Sequence, residues 1–224
     1  MLVMPSSLVF QQNGVGAMAL ASSPRGADNV ESKSPSGSEN GATAVAGAAT
    51  PIPLRNDWVF WHDKFVANAT PAEYTENLKE IADVKTVQSF WSVYNNITGP
   101  ERLTLRCSLH FIHKGVKPLW EDPKNEHGGA WNFRTAKGDT AFVWRELLMA
   151  LIGEQFEDTI SKDDQIFGLS VSARWNSDIF QIWNMDSSLK ENSTVMEKVA
   201  EILKDVQIQS PFYKAHKDHD HFKM

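Results

Sequence analysis

The sequence predicts an α+β fold in which a single antiparallel sheet is covered on one face by three helices. Two observations predict it. Apolar residues alternate along several short segments bounded by turn signals, and three segments between them carry apolar residues at helical spacing. Strands joined mainly by hairpins, with interspersed helices, bury one sheet face and leave the other for a ligand. The 224 residues, 42% of them apolar, are enough for one domain of ordinary size and a tail.

Residues 1–50 are rich in Gly, Ala and Ser and carry only Arg25, Asp28, Glu31, Lys33 and Glu39 as charges. They are expected to be disordered, because they bury too little apolar area to offset the entropy of ordering. The domain is expected over 51–224. LRNDWVFWHDKF suits a strand, and TENLKEIADV a second that ends near Asp83. Thr86 is placed to cap a helix through TVQSFWSVYNNI, with Phe90, Val93, Tyr94 and Ile97 at helical spacing, and Thr98-Gly99-Pro100 stops it. LTLRCSLHFIH alternates, with Leu103, Leu105, Cys107, Leu109 and Phe111 on one face of an expected strand. KPLWEDPKNEHGGAW reads as a loop turning at Gly128-Gly129 into the strand AWNFRT. Asp139 or Thr140 is expected to cap a helix through FVWRELLMALIGEQF that ends at Gly153 or shortly after it. IFGLSVSARW and DIFQIWNM form a hairpin about Asn176-Ser177; a helix bearing Val195, Val199, Ile202 and Leu203 follows, then a short strand near PFYKAH.

Composition excludes several function classes. A net charge of -6 and a pI near 5.6 argue against a general duplex-binding face, so any nucleic-acid contact should be local. Cys107 stands alone, so no intrachain disulfide forms. No apolar run is long enough to span a bilayer. The chain start lacks a secretory pattern, so the sequons at Asn68, Asn96 and Asn192 read as chance matches in a cytosolic protein. Nucleophile-elbow, P-loop, dinucleotide and H-E-x-x-H signatures are missing, and no enzymatic activity or cofactor is expected. His216, His219 and His221 in HKDHDHF could in principle ligate zinc, but a terminal polar run is more often merely solvated.

Eight tryptophans stand against three tyrosines, so each needs a role. Trp58, Trp61, Trp131 and Trp144 lie in strand or helix patterns and are expected in the core. Trp120 sits in the loop beside Glu121 and Asp122, where a large flat ring suits stacking on a planar ligand. Trp91 forms a second ridge with Val87 and could equally be core or a docking site for an amphipathic helix.

DWVFW, Y-x-x-N-L-K-x-I, TVQSFWSVY, LWEDPKNEHGGAW, LLMALIGEQF, SAR and IWN, in this order and spacing, resemble the mRNA cap-binding initiation factor 4E family over about residues 51–224. The resemblance implies a curved sheet with three helices on its convex side and a cap slot on its concave face. A methylated guanine carries delocalised positive charge, so electron-rich rings can hold it by stacking and cation-π attraction. By resemblance Trp120 supplies one face, and Glu121 accepts hydrogen bonds from the base's Watson-Crick edge. Tyr74 falls where translation-initiating members place tryptophan. With the ending Y-K-x-H-x-D, it resembles the second, 4E-homologous class, for which weaker cap affinity and translational repression are expected. Trp183 matches a contact to the methyl group and Arg174 a contact to the cap phosphates. Ile179 replaces a common lysine, leaving Lys214, Lys217 or Lys223 as candidate substitutes. Val87, Trp91 and Met149, with Pro53, match a groove for partner helices in which Arg145 replaces a common leucine. The expected protein is a monomer that binds capped mRNA and a helical partner. Rival readings are an initiation factor serving a scaffold subunit, an interaction module without cap binding, and a metal-dependent hydrolase using the tail histidines.

Overall fold

The computed structural model describes residues 50–67 and 71–219, so the expectations for residues 1–49, for His221 and for Lys223 lie outside them. Seven strands, β1 (Pro53–Asp63), β2 (Leu78–Thr86), β3 (Ser108–His113), β4 (Gly129–Ala136), β5 (Ile166–Ala173), β6 (Ser177–Asn184) and β7 (Gln209–Ala215), form one sheet in the order β2-β1-β3-β5-β6-β4-β7. Every neighbouring pair is antiparallel. Helices α2 (Val87–Tyr94), α3 (Thr140–Ile152) and α4 (Val195–Ile202) are the three that the spacing predicts, and a short α1 (Pro71–Asn77) precedes β2.

Register explains which face the helices cover. Phe60, Phe111, Leu169, Ile182, Trp131 and Tyr213 are successive partners across six strands and therefore share a face. That face packs on Phe90 of α2, on Val143, Trp144, Leu147 and Leu148 of α3, and on Val195 and Val199 of α4. Phe111 lies at the centre, with ring centroids 4.6 Å from Phe60, 4.8 Å from Trp58 and 5.9 Å from Phe90. Trp58, Trp131 and Trp144 are core residues as expected, whereas Trp61 is only partly buried and belongs to a smaller cluster with Trp183 and Trp120.

Helix ends follow the sequence in part. The Thr86 hydroxyl accepts from the Ser89 amide at 3.0 Å while the Ser89 hydroxyl accepts from the Thr86 amide at 2.9 Å, a reciprocal cap for α2. Gly153 ends α3 as expected. Neither expected cap serves its start: Asp139 makes no side-chain capping bond, and the Thr140 hydroxyl donates at 2.6 Å to the buried Asp178.

Two strand expectations are corrected. The LTLRCSLHFIH strand begins only at Ser108, because Arg106 takes φ 68° and the Cys107 amide closes a turn on the Thr104 carbonyl at 3.0 Å. Alternation continues through that turn by coincidence, and Leu105, expected to be buried, is 44% exposed. In TENLKEIADV the first three residues close α1 instead of opening a strand. Pro71 suits the first helical position, where a missing N–H is harmless, and the strand then runs past Asp83 to Thr86. Gly168, at φ 149° beside a bulge between β5 and β6, must remain glycine, since a Cβ there would meet the Phe111 carbonyl oxygen at 2.1 Å.

Burial holds two histidines neutral: His113 at the end of β3 is lowered to about 4, and His216 just after β7 to about 3. Unfolding restores ordinary values near 6.5, so the unfolded chain binds more protons below that pH. Stability is therefore full above about pH 6.5 and falls as pH drops towards 4. Denaturant midpoints measured between pH 7 and 4.5 should decline, and His216→Phe should flatten part of that slope. In the core, Phe111→Ala should cost about 3–5 kcal/mol in denaturation experiments. Leu105→Ser should change stability by less than about 0.5 kcal/mol, whereas a buried strand residue there would cost several times more.

Candidate functional site

The uncovered sheet face carries the alternate rows. One comprises Val59, Ile112, Gly168, Trp183, Ala130 and Lys214; the next, Trp61, His110, Ser170, Gln181, Asn132 and Phe212; the third, Asp63, Ser108, Ser172, Ile179 and Arg134. Polarity rises from the first row to the third. Above them lies a cavity of about 560 Å³, walled by Trp120 and Glu121 from the β3–β4 loop, Thr75 of α1, and Phe65 and Val66 after β1.

Local structure holds the Trp120 loop rigid. Asn125 is fully buried, and its side-chain amide donates to the carbonyls of Lys117 and Leu119, each at 2.7 Å. An Asp122 carboxylate oxygen accepts from the Lys124 amide at 2.9 Å, so this acid orders the loop and leaves Glu121 exposed at the cavity wall. Gly128 and Gly129 let β4 start in a crowded place. A Cβ on the first would meet the Asn184 carbonyl oxygen at 2.2 Å, and one on the second the Tyr213 hydroxyl at 2.2 Å.

Four of the five expected cap-slot residues, Trp120, Glu121, Trp183 and Arg174, line this one cavity. Tyr74 lies in α1 beside the lining residue Thr75, and its side chain is outside the described part of the structure. Trp183 is buried, with its ring 4.7 Å from that of His216 and its indole N–H unpartnered. The His219 ring stacks on Trp120 at 3.6 Å and 15°.

Arg174 is set by Asp178, which accepts from the Arg174 amide at 3.0 Å and from the Thr140 hydroxyl. Burial, and next to it the positive charges of Arg134 and Arg106, push Arg174 below the usual arginine range, partly offset by Asp63 and Asp178. Arg106 and Arg134 also line the cavity, so three guanidiniums converge there and would gain from an anion. Sequence reasoning missed these two. Arg134 is the register partner of Ile179, the position where the lysine is lost. Lys214 and Lys217, the described candidates for its replacement, do not line the cavity.

On the helix-covered side Pro53, Val87, Trp91 and Met149 are all at least partly accessible, Trp91 at 36% and Met149 at 39%. The Val87 amide donates to the Ile52 carbonyl at 2.9 Å, and Pro53 pairs with Thr86, which brings the start of β1 to the start of α2. The Trp91 ring packs edge-on against Phe90 and Tyr94, leaving its remaining surface to solvent. Arg145 lies over the exposed Phe142 ring at 5.5 Å and pairs with Glu146 at 2.8 Å.

A nucleophilic triad and a metal cluster are the two arrangements that would suggest hydrolysis. Ser170, His110 and Asp63 are joined at 2.7 and 3.6 Å in the order of a nucleophilic triad. Ser170 is fully buried, so its hydroxyl reaches no substrate, and His110 Nε2 makes no hydrogen bond to Asp63, whose carboxylate accepts from the Ser108 amide at 2.9 Å. Among the described residues no group of three or more His, Cys, Asp or Glu could hold a metal, and no helix is long and apolar enough to cross a membrane.

Comparison with known proteins agrees with this architecture. The family model "Eukaryotic initiation factor 4E" matches residues 53–224. The chain is similar to the eukaryotic translation initiation factor NCBP of Oryza sativa, at 33% identity over 168 residues, 75% of this chain and 71% of that protein. It is also similar to translation initiation factor 4E-1 of Glycine max, at 36% over 157 residues, 68% and 65% of the two chains. Among solved structures, C. elegans eIF4E-3 complexed with the 4E-binding protein Mextli and a cap analog superposes with a TM-score of 0.64 at 30% identity, covering 75% of this chain and 95% of that one. Ascaris suum eIF4E-3 with an m2,2,7G cap gives 0.63 at 30%, covering 76% and 94%. With its seven-stranded antiparallel sheet and three main helices, this chain belongs to the eukaryotic initiation factor 4E family, whose members are non-enzymatic translation factors.

Proposed function

We propose that the chain binds the 7-methylguanosine cap of mRNA in the cavity on the open sheet face and thereby regulates translation in the cytoplasm. The observation that carries this reading is the convergence of Trp120, Glu121, Trp183 and Arg174 on one cavity. Trp120 offers a ring for stacking, and the Tyr74 ring is assigned the opposite side. Glu121 meets the base edge, and its charge-assisted hydrogen bonds favour the cationic methylated base over guanine. Arg174, Arg134 and Arg106 take the phosphates. Two solved nematode relatives, one bound to a cap analog and one to an m2,2,7G cap, support the same assignment.

We assign the chain to the 4E-homologous class and to repression, on Tyr74 and on Arg145. A guanidinium held over Phe142 and paired with Glu146 presents charge where a leucine-based helix contact needs an apolar surface. The second reading, delivery of capped mRNA to a scaffold subunit, is favoured by the accessible set Pro53, Val87, Trp91 and Met149.

Two measurements follow. Retention on immobilised 7-methyl-GTP should be competed by the methylated nucleotide and not by GTP, and Trp120→Ala and Glu121→Ala should each weaken binding at least tenfold; equal affinity for GTP would sink the assignment. Co-purification of partners should depend on Trp91, with Trp91→Ala losing them while cap binding persists. Capture of a scaffold together with restored initiation activity would select delivery over repression.

A further inference from the structure

Phe212 is large, apolar and 54% exposed, yet it lies at the end of the middle row on the open face and lines the cavity. Its position there has an identifiable cause. Arg134 pairs with Gln209, but Asn132 pairs with Phe212, so β7 holds one residue more than β4 between these rungs. Ser210 within that bulge takes φ 48°, and Pro211 follows it. Regular register would set Pro211 opposite Asn132 and turn Phe212 to the helix-covered face, because a one-residue slip reverses every side chain. The bulge carries a strained backbone and leaves an aromatic ring facing outward at the cavity. The same register turns Tyr213 to the helix-covered face, where its ring lies 5.0 Å from that of Trp131, so the bulge sets both rings.

The neighbourhood restricts what the ring can serve. Asn132 beside it is already engaged: its amide donates to the Ala130 carbonyl at 2.8 Å, and its oxygen accepts from Gln181 at 2.8 Å. Arg134 lies two residues along the same strand on the same face. Strand spacing and rise put Phe212 about 12 Å from Trp183 across the sheet, beyond the reach of a base seated on Trp183 and within the span of a triphosphate bridge and a sugar. A flat ring next to a cluster of guanidiniums is the combination that holds single-stranded nucleic acid, with the charges on the backbone and the ring under a base.

We infer that Phe212 is a stacking platform for the base of the first nucleotide after the cap, so that the cavity reads a capped dinucleotide and not the methylated base alone. This rests on the cap-binding reading above. The ring is sequence-tolerant, and purines, with the larger π surface, gain most.

The test is a titration of the full chain, followed by tryptophan fluorescence, with 7-methyl-GTP and with the dinucleotides m7GpppA and m7GpppC. Phe212→Ala should weaken m7GpppA about fivefold or more, weaken m7GpppC less, and change 7-methyl-GTP by less than twofold. Phe212→Trp should restore or exceed the wild-type dinucleotide affinity, which excludes a general structural effect. If wild type binds 7-methyl-GTP and Phe212→Ala binds both dinucleotides as wild type does, or loses all three ligands equally, this inference is overturned and the cap reading stands. If wild type binds no 7-methyl-GTP, both fall.

Discussion

The register that sets Phe60 against Phe111, Leu169, Ile182, Trp131 and Tyr213 is the constraint on which the rest of the molecule depends. Strand side chains alternate with a period of two, so once this apolar row meets α2, α3 and α4 the flanking rows must face away from them. The polar groups that result are grouped across strands and not along them. Asp63, Ser108, Ser172 and Arg134 are distant in sequence and share one rung direction. A slip of one residue would move these groups from their polar surroundings into the apolar core and turn Phe111 out of it, a double penalty.

That same constraint explains how an acidic chain can offer an anion site. The overall charge of -6 gives no attractive field for a polyanion. Arg106, Arg134 and Arg174 come from a turn and two strand regions and meet only through the fold. Asp63 and Asp178 partly offset the repulsion that Arg134 and Arg106 exert on Arg174.

Legibility in the sequence followed the range of the interaction. Trp120 and Glu121 are adjacent in the chain, and the loop that presents them is closed by Asn125 within a few residues, so a local motif carried the information. The three main helices and most of the strands were legible because their periodicity is local too. Arg134 was not, since its relation to Ile179 exists only in the β4–β6 register. The turn at Arg106 was missed for the opposite reason: Leu103 and Leu105 continue an alternating pattern that the backbone abandons, and no residue between them is Gly, Pro or Asn.

The tail histidines illustrate how one residue pattern can support different physics. Read as a run, His216 and His219 suggest metal ligands; in the fold they are rings. His216 is buried against Trp183 and kept neutral, and His219 stacks on Trp120. A tryptophan in a loop ordinarily loses side-chain freedom when a ligand stacks on it, and that loss opposes binding. With His219 already on one face of Trp120 and Asn125 fixing the backbone beneath, most of that ordering is complete before a ligand arrives. The segment after β7 therefore fixes a ring that lines the cavity, and the two are ordered together by folding.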